Sequence, residues 1–459
     1  MAIIVATASG GDREWSTAAT WVGGSAPGAG DTATLDATSG DVTVSGVKGA
    51  VAGINMAGYT GTLTITTGSI LTSSGHLTYG GTVILEGPAQ VLCAGNLTYA
   101  AGTTFTYSAT SETVNSSAGA CAIVVADGAA LNVGNLQLIV GAGQECTLPA
   151  AWKAANLDFD TGVYIGNNGV LTCAGSFDWN AACSWFGNYL TKLTFSGTAA
   201  RDFRCDESAG KIPEVDFGSA TVDITGPVWM RKITGAASAA ITSVGSQIIN
   251  IYVPATGFWN YQGSCSAAVK LWPGANMNTG LAINLTNKNL EILNASGAAD
   301  FTLTATGDIS LGTGDLYLYT NSAGRKQTLD MAGKNLAMRD AYVGWPAAVA
   351  KSGELLCGEG VIAARNIQGG HADNTNLLAL ESCYMTAATI TGTNLDSVTN
   401  SAARVRGATI TDVQVTGTEL DARGCTDSGT PPNDNIDFTA LAMAPTATLA
   451  KAKRFIWEW

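Results

Sequence analysis

Short stretches of this chain repeat at intervals of roughly two dozen positions, and that spacing restricts the fold more than any other feature. Gly75-His76-Leu77-Thr78-Tyr79-Gly80 recurs as Gly95-Asn96-Leu97-Thr98-Tyr99-Ala100, an offset of 20. Cys93-Ala94-Gly95 returns as Cys173-Ala174-Gly175 at an offset of 80, four times 20. Lys288-Asn289-Leu290 returns as Lys334-Asn335-Leu336 at an offset of 46, near two steps of 23. The stretch from Ile390 to Asp396 is echoed by Val415 to Asp421 at an offset of 25. Together these offsets predict a solenoid with coils of about 20–25 residues. One such coil holds about three short strands and three turns. It cannot bury its own apolar side chains, whereas stacked coils enclose a continuous column of them.

The local pattern agrees. From Asp41 to about Asp421, runs such as DVTVSG, GTLTITTG, GTVILEG, DFTLTATG and DLYLYT alternate with Gly, Asn, Asp or Ser punctuation. Period-two alternation places Leu63 and Ile65 on one face, and Thr62, Thr64 and Thr66 on the other. Charged residues make up only 13% of the chain, about half the usual share. The outward positions are therefore largely Thr, Ser and Asn, and β-branching favours the pleated conformation. A hydrophobic content of 46% is too high for a disordered chain. The expected fold is all-β, a single-stranded parallel β-helix (β-solenoid) over residues 41–425. Residues 1–40 read as an N-terminal capping segment, and 426–459 as a linker and basic-aromatic docking tail. The structural rival is a β-sandwich array, which would use Asn168-Gly169 and Asp127-Gly128 as hairpin turns.

Both ends differ from the middle. Trp15, Trp21, Pro27 and Asp31 form a Trp/Gly/Pro string suited to covering an open first coil, whose bare edge would otherwise recruit other chains. At the other end Lys453 and Arg454 precede Phe455, Trp457 and Trp459. If extended, that peptide places its three rings on one face. It would dock on a partner by strand addition or fold back over the last coil.

The formal charge of −13 argues against nucleic acid as a partner, because phosphate binding needs clustered Lys and Arg. No apolar run reaches the ~20 residues of a membrane span. The first residues, MAIIVATASGGDREW, lack a basic n-region, so ordinary export is not expected. Ten cysteines (Cys93, Cys121, Cys146, Cys173, Cys183, Cys205, Cys265, Cys357, Cys383 and Cys425) are scattered with no C-x-x-C pair. With only His76 and His371 to join them, no metal site is expected. The expectation is buried free thiols, with disulfides within or between chains as the alternative.

The run from Trp15 to Leu35, with its Trp, Gly/Pro and Gly-Asp string, resembles the opening of right-handed parallel β-helix proteins, including G8-like modules. It is also similar to openings of structural proteins of tailed bacteriophages. The resemblance covers that run directly and the rest of the chain only through periodicity. It implies a virion location, after synthesis in a host cytoplasm. The implied role is non-enzymatic: a capsid decoration, head or neck fibre, or tail-associated fibre. The implied partners are copies of itself (a homo-oligomer, with a trimer suited to rod-like parts), other virion proteins such as capsid or tail proteins, and host surface glycan. No catalytic motif and no cofactor follow from it.

Two other readings remain. A polysaccharide-depolymerising tailspike would need two carboxylates in a groove. Asp158 and Asp160 share one strand face, about 6.5–7 Å apart, and Asp178 follows about one coil later. Their bland reading is a solvated strand face. A bacterial β-helical adhesin would need export machinery. Asp202, Asp206 and Glu207 beside Arg201 and Arg204 read as a loop or subunit contact, and His371-Ala-Asp373-Asn374 with Glu381 as a turn. Asn96, Asn115, Asn284 and Asn294 match the glycosylation pattern but read as turn residues. Neither G-x-S-x-G nor GxxxxGK[ST] occurs.

Overall fold

The computed structural model describes residues 2–7, 13–185, 190–206, 212, 214–252, 257–294, 299–320, 326–343, 352–356, 360–369, 377–381, 384–386, 389–401, 404–406, 409–417, 420–423, 425–427 and 436–437. The chain is nearly all β, with parallel strands stacked as a β-solenoid and almost no helix. Two compact units can be distinguished, residues 1–251 with 261–267 and residues 252–260 with 268–459.

In the first unit, one ladder runs through Ile3–Val5, Thr32–Thr34, Gly53–Asn55, Leu77–Tyr79, Leu97–Tyr99 and Cys121–Val125. A second joins Arg13–Glu14, Val42–Val44, Thr62–Ile65, Thr82–Leu85 and Thr104–Tyr107. A third joins Ile70–Ser73, Gln90–Cys93, Glu112–Ser117, Leu136–Val140 and the start of Leu157–Ile165. The second ladder stops at Thr104–Tyr107. The following coil carries a 3-10 turn, Gly128–Ala130, and a further ladder begins at Ala151–Ala154. Residues 1–40 supply three of these strands, Ile3–Val5, Arg13–Glu14 and Thr32–Thr34.

Alternation fills the interior. Leu63 and Ile65 are fully buried, and Thr62 and Thr64 face outward. Side chains of that size each stabilise the fold by about 1.5–3 kcal/mol when buried. Rings extend the column. Phe203 lies 5.9 Å from Phe177, 5.1 Å from Phe195 and 6.0 Å from Phe217. In the second unit the inward positions stack as Val269, Leu290, Leu316, Ala341 and Ile367. Beside them run Leu303, Leu329 and Leu355, and then Ile283, Ile309, Leu336 and Ile362.

Corners are held by side chains that reach from one coil to the next. Asn96 Oδ1 accepts from the Ala122 N–H at 3.0 Å, Asn289 Oδ1 from Asp315 N–H at 2.9 Å, and Asn335 Oδ1 from Val361 N–H at 3.1 Å. Each contact spans 26 residues, one coil.

The structure rejects the sandwich. Every strand ladder among the described residues is parallel, and one isolated bridge, Ala6 to Trp21, is antiparallel. Asn167 and Asn168 both adopt a positive φ in a turn between strands that belong to neighbouring ladders, and Gly128 starts the 3-10 turn.

One of the four sequence echoes is the true register: Leu77, Thr78 and Tyr79 pair with Leu97, Thr98 and Tyr99. The other three are corrected. Cys93 pairs with Asn115, and Cys173 with Ala154 and Phe195, so the two cysteines stand on different ladders. Leu290 pairs with Leu316, whereas Leu336 pairs with Ile309 and Ile362. Ile390 pairs with Ile410, and Val415 with Val398.

Candidate functional site

A row of outward polar and charged side chains lies on the strands Leu136–Val140, Leu157–Ile165, Phe177–Trp179 and Ala200–Cys205. Alternation turns every second residue outward, and the register stacks Gln137, Asp158, Asp178 and Arg204 in one row. Gln137 Nε2 donates to Asp158 Oδ2 at 3.1 Å. Arg204 Nε lies 3.7 Å from Asp178 Oδ1, and its Nη2 lies 3.4 Å from Asp206 Oδ2. The first separation is an ion pair but too long for a hydrogen bond, and Oδ1 of Asp178, shielded from water, accepts none.

Partial burial raises the Asp158 carboxyl above the ordinary range. The charges of Asp178, Asp160 and Glu112 add to that, and the Gln137 amide opposes it. Burial likewise raises Asp178, with Arg204 pulling the other way and Asp160, Asp202 and Asp206 adding to the rise. The row therefore holds two half-buried carboxylates side by side, flanked by an amide and a guanidinium. The in-strand neighbour Asp160 is visible in the sequence. The in-register neighbour Asp178 can be placed only by knowing the length of this one coil.

Other sequence candidates fall as follows. Arg201 does not share the charged patch: Ala200–Cys205 is a strand, and alternation turns Arg201 inward, 4% exposed, against the carbonyls of Ala199, Ser196 and Cys173. Glu207 and the His371 cluster up to Asn374 lie outside the described residues. Asn115 is not a turn residue. It is fully buried within Glu112–Ser117 and donates to the Gly95 carbonyl at 2.7 Å. Asn284 and Asn294 are likewise strand residues, the last of Ile283–Asn284 and Leu290–Asn294. Cys93, Cys121, Cys146, Cys173, Cys183, Cys205 and Cys265 are buried thiols, and Cys425 is a half-buried one. Cys357 and Cys383 lie outside the described residues, as do Lys453, Arg454, Phe455, Trp457 and Trp459.

At the N-terminal end Trp15 and Trp21 are buried edge to face, ring centroids 4.9 Å apart, and Trp21 Nε1 donates to the Trp15 carbonyl at 2.6 Å. Pro27 is buried. Asp31 accepts from the N–H groups of Ala2 and Gly28 at 3.2 and 3.1 Å. Val22 N–H donates to Val5 O and Thr7 N–H to Thr20 O, both at 2.8 Å, so residues 20–22 run antiparallel beside residues 5–7, at the end of Ile3–Val5.

Comparison with protein-family models, with curated proteins and with solved structures finds no match to this chain. A shallow groove of about 420 Å³ between Cys121–Val125 and residues 147–151 is lined by Val124, Val125, Leu148, Pro149, Ala150 and Asn167, among others, with no acid or imidazole. Among the described residues no three His, Cys, Asp or Glu side chains converge as a metal site. No helix among them is long and apolar enough to cross a membrane.

Sequence reasoning missed the polar corner of the second unit. Arg339 pairs with Asp315, and Arg365 with Asp340, both carboxylates being almost wholly buried. Beside them Tyr317 stacks on Tyr342 at 4.9 Å. The signal was present: Asp315-Leu316-Tyr317 and Asp340-Ala341-Tyr342 are a true in-register echo.

Proposed function

We propose that this chain is a non-enzymatic structural component of a bacteriophage particle, displayed as a capsid decoration, head or neck fibre, or tail-associated fibre. The observation that best supports the reading is the register itself. Successive coils rest on one another through main-chain hydrogen bonds, inter-coil Asn contacts and a filled apolar column. Such a scaffold keeps its shape whatever its outward residues are, which suits presentation and attachment. Self-association and contact with capsid or tail proteins belong to the same proposal, with host surface glycan as the outer target. Mass spectrometry of purified particles of the encoding phage tests it. The chain should be present in stoichiometric amount, and its absence from particles would reject the assignment.

A second reading, a polysaccharide depolymerase, draws on one observation: Asp158 stands beside Asp178 on the adjacent strand. Neighbouring strands lie about 4.8 Å apart, close to the ~5–5.5 Å between carboxylates of retaining glycosidases. Purified protein would then clear capsule or lipopolysaccharide, and Asp158→Ala and Asp178→Ala would each abolish clearing. Clearing lost in both variants replaces the structural reading, and no clearing by the unaltered protein removes the enzymatic one.

A further inference from the structure

Cys121 and Cys146 occupy the same inward position on adjacent coils. The strands Cys121–Val125 and Glu145–Thr147 pair in parallel with Cys121 opposite Cys146, and both thiols are buried, 6% and 0% exposed. No other pair of described cysteines meets in register. Cys93 faces Asn115, Cys173 faces Ala154 and Phe195, Cys183 faces Gly162, Cys205 faces Trp179 and Val228, and Cys265 faces Ile241. One coil further on, Cys146 meets Tyr164.

The geometry points to Cys121 and Cys146 as a redox site, a dithiol that closes into an inter-coil disulfide when the protein meets a low-molecular-weight disulfide such as oxidised glutathione. In-register neighbours on adjacent strands stand about 4.8 Å apart at Cα, inside the roughly 4.4–6.8 Å range that disulfides span. The local chemistry is already asymmetric. The neighbouring Cys146 pulls the Cys121 thiol down, and the neighbouring Cys121 together with burial pushes the Cys146 thiol up. Cys121, 6% exposed against 0% for Cys146, is the sulfur an incoming disulfide reaches first and hence the attacking one. Asn115, held by its bond to Gly95 O, places Oδ1 3.6 Å from the Cys121 sulfur.

The position has a structural logic. It lies where the ladders of the first unit change over. The second ladder has just stopped at Thr104–Tyr107, and Cys121–Val125 meets its next neighbour through two register pairs against three on its other side. The groove opens beside it, at Pro149 and Ala150. A covalent link there ties the coil that breaks the pattern to the coil that restores it.

The exchange balances. The Cys121 thiolate attacks one sulfur of the glutathione disulfide, forms a mixed disulfide and expels one glutathione thiolate. The Cys146 sulfur, losing its proton, displaces the second. Two protein thiols are oxidised, one small disulfide is reduced to two thiols, and the two protons end on those thiols.

The test is to incubate the folded full chain with oxidised glutathione, block the remaining thiols by alkylation and map cross-linked peptides by mass spectrometry. The expected product joins the peptides of Cys121 and Cys146, with two fewer alkylatable thiols per chain. It should be absent from Cys121→Ser and from Cys146→Ser, and the oxidised protein should unfold at a higher temperature than the reduced one. Two outcomes overturn the assignment: a cross-link in the folded chain that maps to other cysteines, or both thiols still alkylatable under conditions that cross-link the denatured chain. The remaining cysteines of the unaltered chain serve as internal controls if either Ser variant folds poorly.

Discussion

Asp158 and Asp178 stand side by side on successive coils, and both carboxyls titrate above the ordinary range, chiefly because of burial. Two like charges on neighbouring strands are an arrangement a sheet normally avoids. Here Gln137 takes up one end of the row and Arg204 the other, so Asp158 is met by an amide and Asp178 by a guanidinium.

The sign of the pH dependence follows. A carboxyl whose pKa is raised by folding leaves the native state holding more protons than the unfolded one, so stability falls as pH climbs from the unfolded value towards the folded one. The pair therefore weakens the protein at neutral pH relative to mildly acidic pH. Asp158→Asn or Asp178→Asn should raise the unfolding midpoint at pH 7 and flatten its slope above about pH 4, the ordinary aspartate range. Thermal melts across that range check this, and a variant less stable than the parent at pH 7 would contradict it.

Gly80 and Ala100 hold equivalent places, one residue after the paired Tyr79 and Tyr99, yet only one carries a side chain. A Cβ at Gly80 would overlap the Met56 carbonyl oxygen of the preceding coil. By contrast Gly58, at φ +76°, has nothing within 4 Å of the same point. Gly80→Ala should therefore cost at least the ~1–3 kcal/mol of a forced overpacking. Gly58→Ala should cost only the roughly 1–2 kcal/mol of a left-handed alanine, with no clash added. Urea denaturation of both variants gives the comparison, and equal losses would show that the coils are not in close contact at this corner.

Arg339 grips Asp315 with two parallel bonds, Nε to Oδ1 at 2.8 Å and Nη2 to Oδ2 at 2.5 Å, and this carboxylate is only 4% exposed. Lysine offers a point charge in place of a fork. Arg339→Lys should lower the unfolding temperature by less than Arg339→Met, because Met leaves a buried carboxylate without its cation. Asp315→Asn combined with Arg339→Met should recover part of the loss. If Met and Lys behave alike, the pair is an ornament of the surface.

How far the sequence is legible depends on what the coil asks of each position. Inward sites ask only for apolar volume, so Leu63 and Ile65 can be assigned from alternation alone. Corners ask for the same few residues on every face. Cys93-Ala-Gly and Cys173-Ala-Gly both close a corner, their sulfurs against the carbonyls of Gly95 and Asn96 in one case and Gly175 and Ser176 in the other. Similar tripeptides thus recur out of register. Coil length also drifts: Leu77 pairs with Leu97, an offset of 20, and Leu97 with Ile123, an offset of 26. A fixed period therefore loses its place after a few turns. Alternation and period together put Asp178 about one coil beyond Asp158 without making the two register partners, and Arg201 reads as a surface residue because its neighbours are charged.

Arg201, although flanked by charged residues, lies on the inner face of its strand, 4% exposed. Its Nε donates to Ala199 O at 3.0 Å, and its Nη1 donates to Ser196 O at 2.6 Å and to Cys173 O of the preceding coil at 3.4 Å. Burial holds the guanidinium below its ordinary pKa, and carbonyl oxygens, which carry only partial charge, are its acceptors here. The side chain thus acts as a cross-brace between two coils and the turn that joins them. Arg201→Met fills similar volume but strands those carbonyls, at a cost of about 1–3 kcal/mol. Arg201→Lys should fall between, since an ammonium cannot fork to two carbonyls in the same geometry. Denaturant unfolding reads the loss, and hydrogen exchange should quicken first in residues 196–202. A surface arginine predicts no change in either measurement, so an unaltered Arg201→Met protein would return this residue to the outer face.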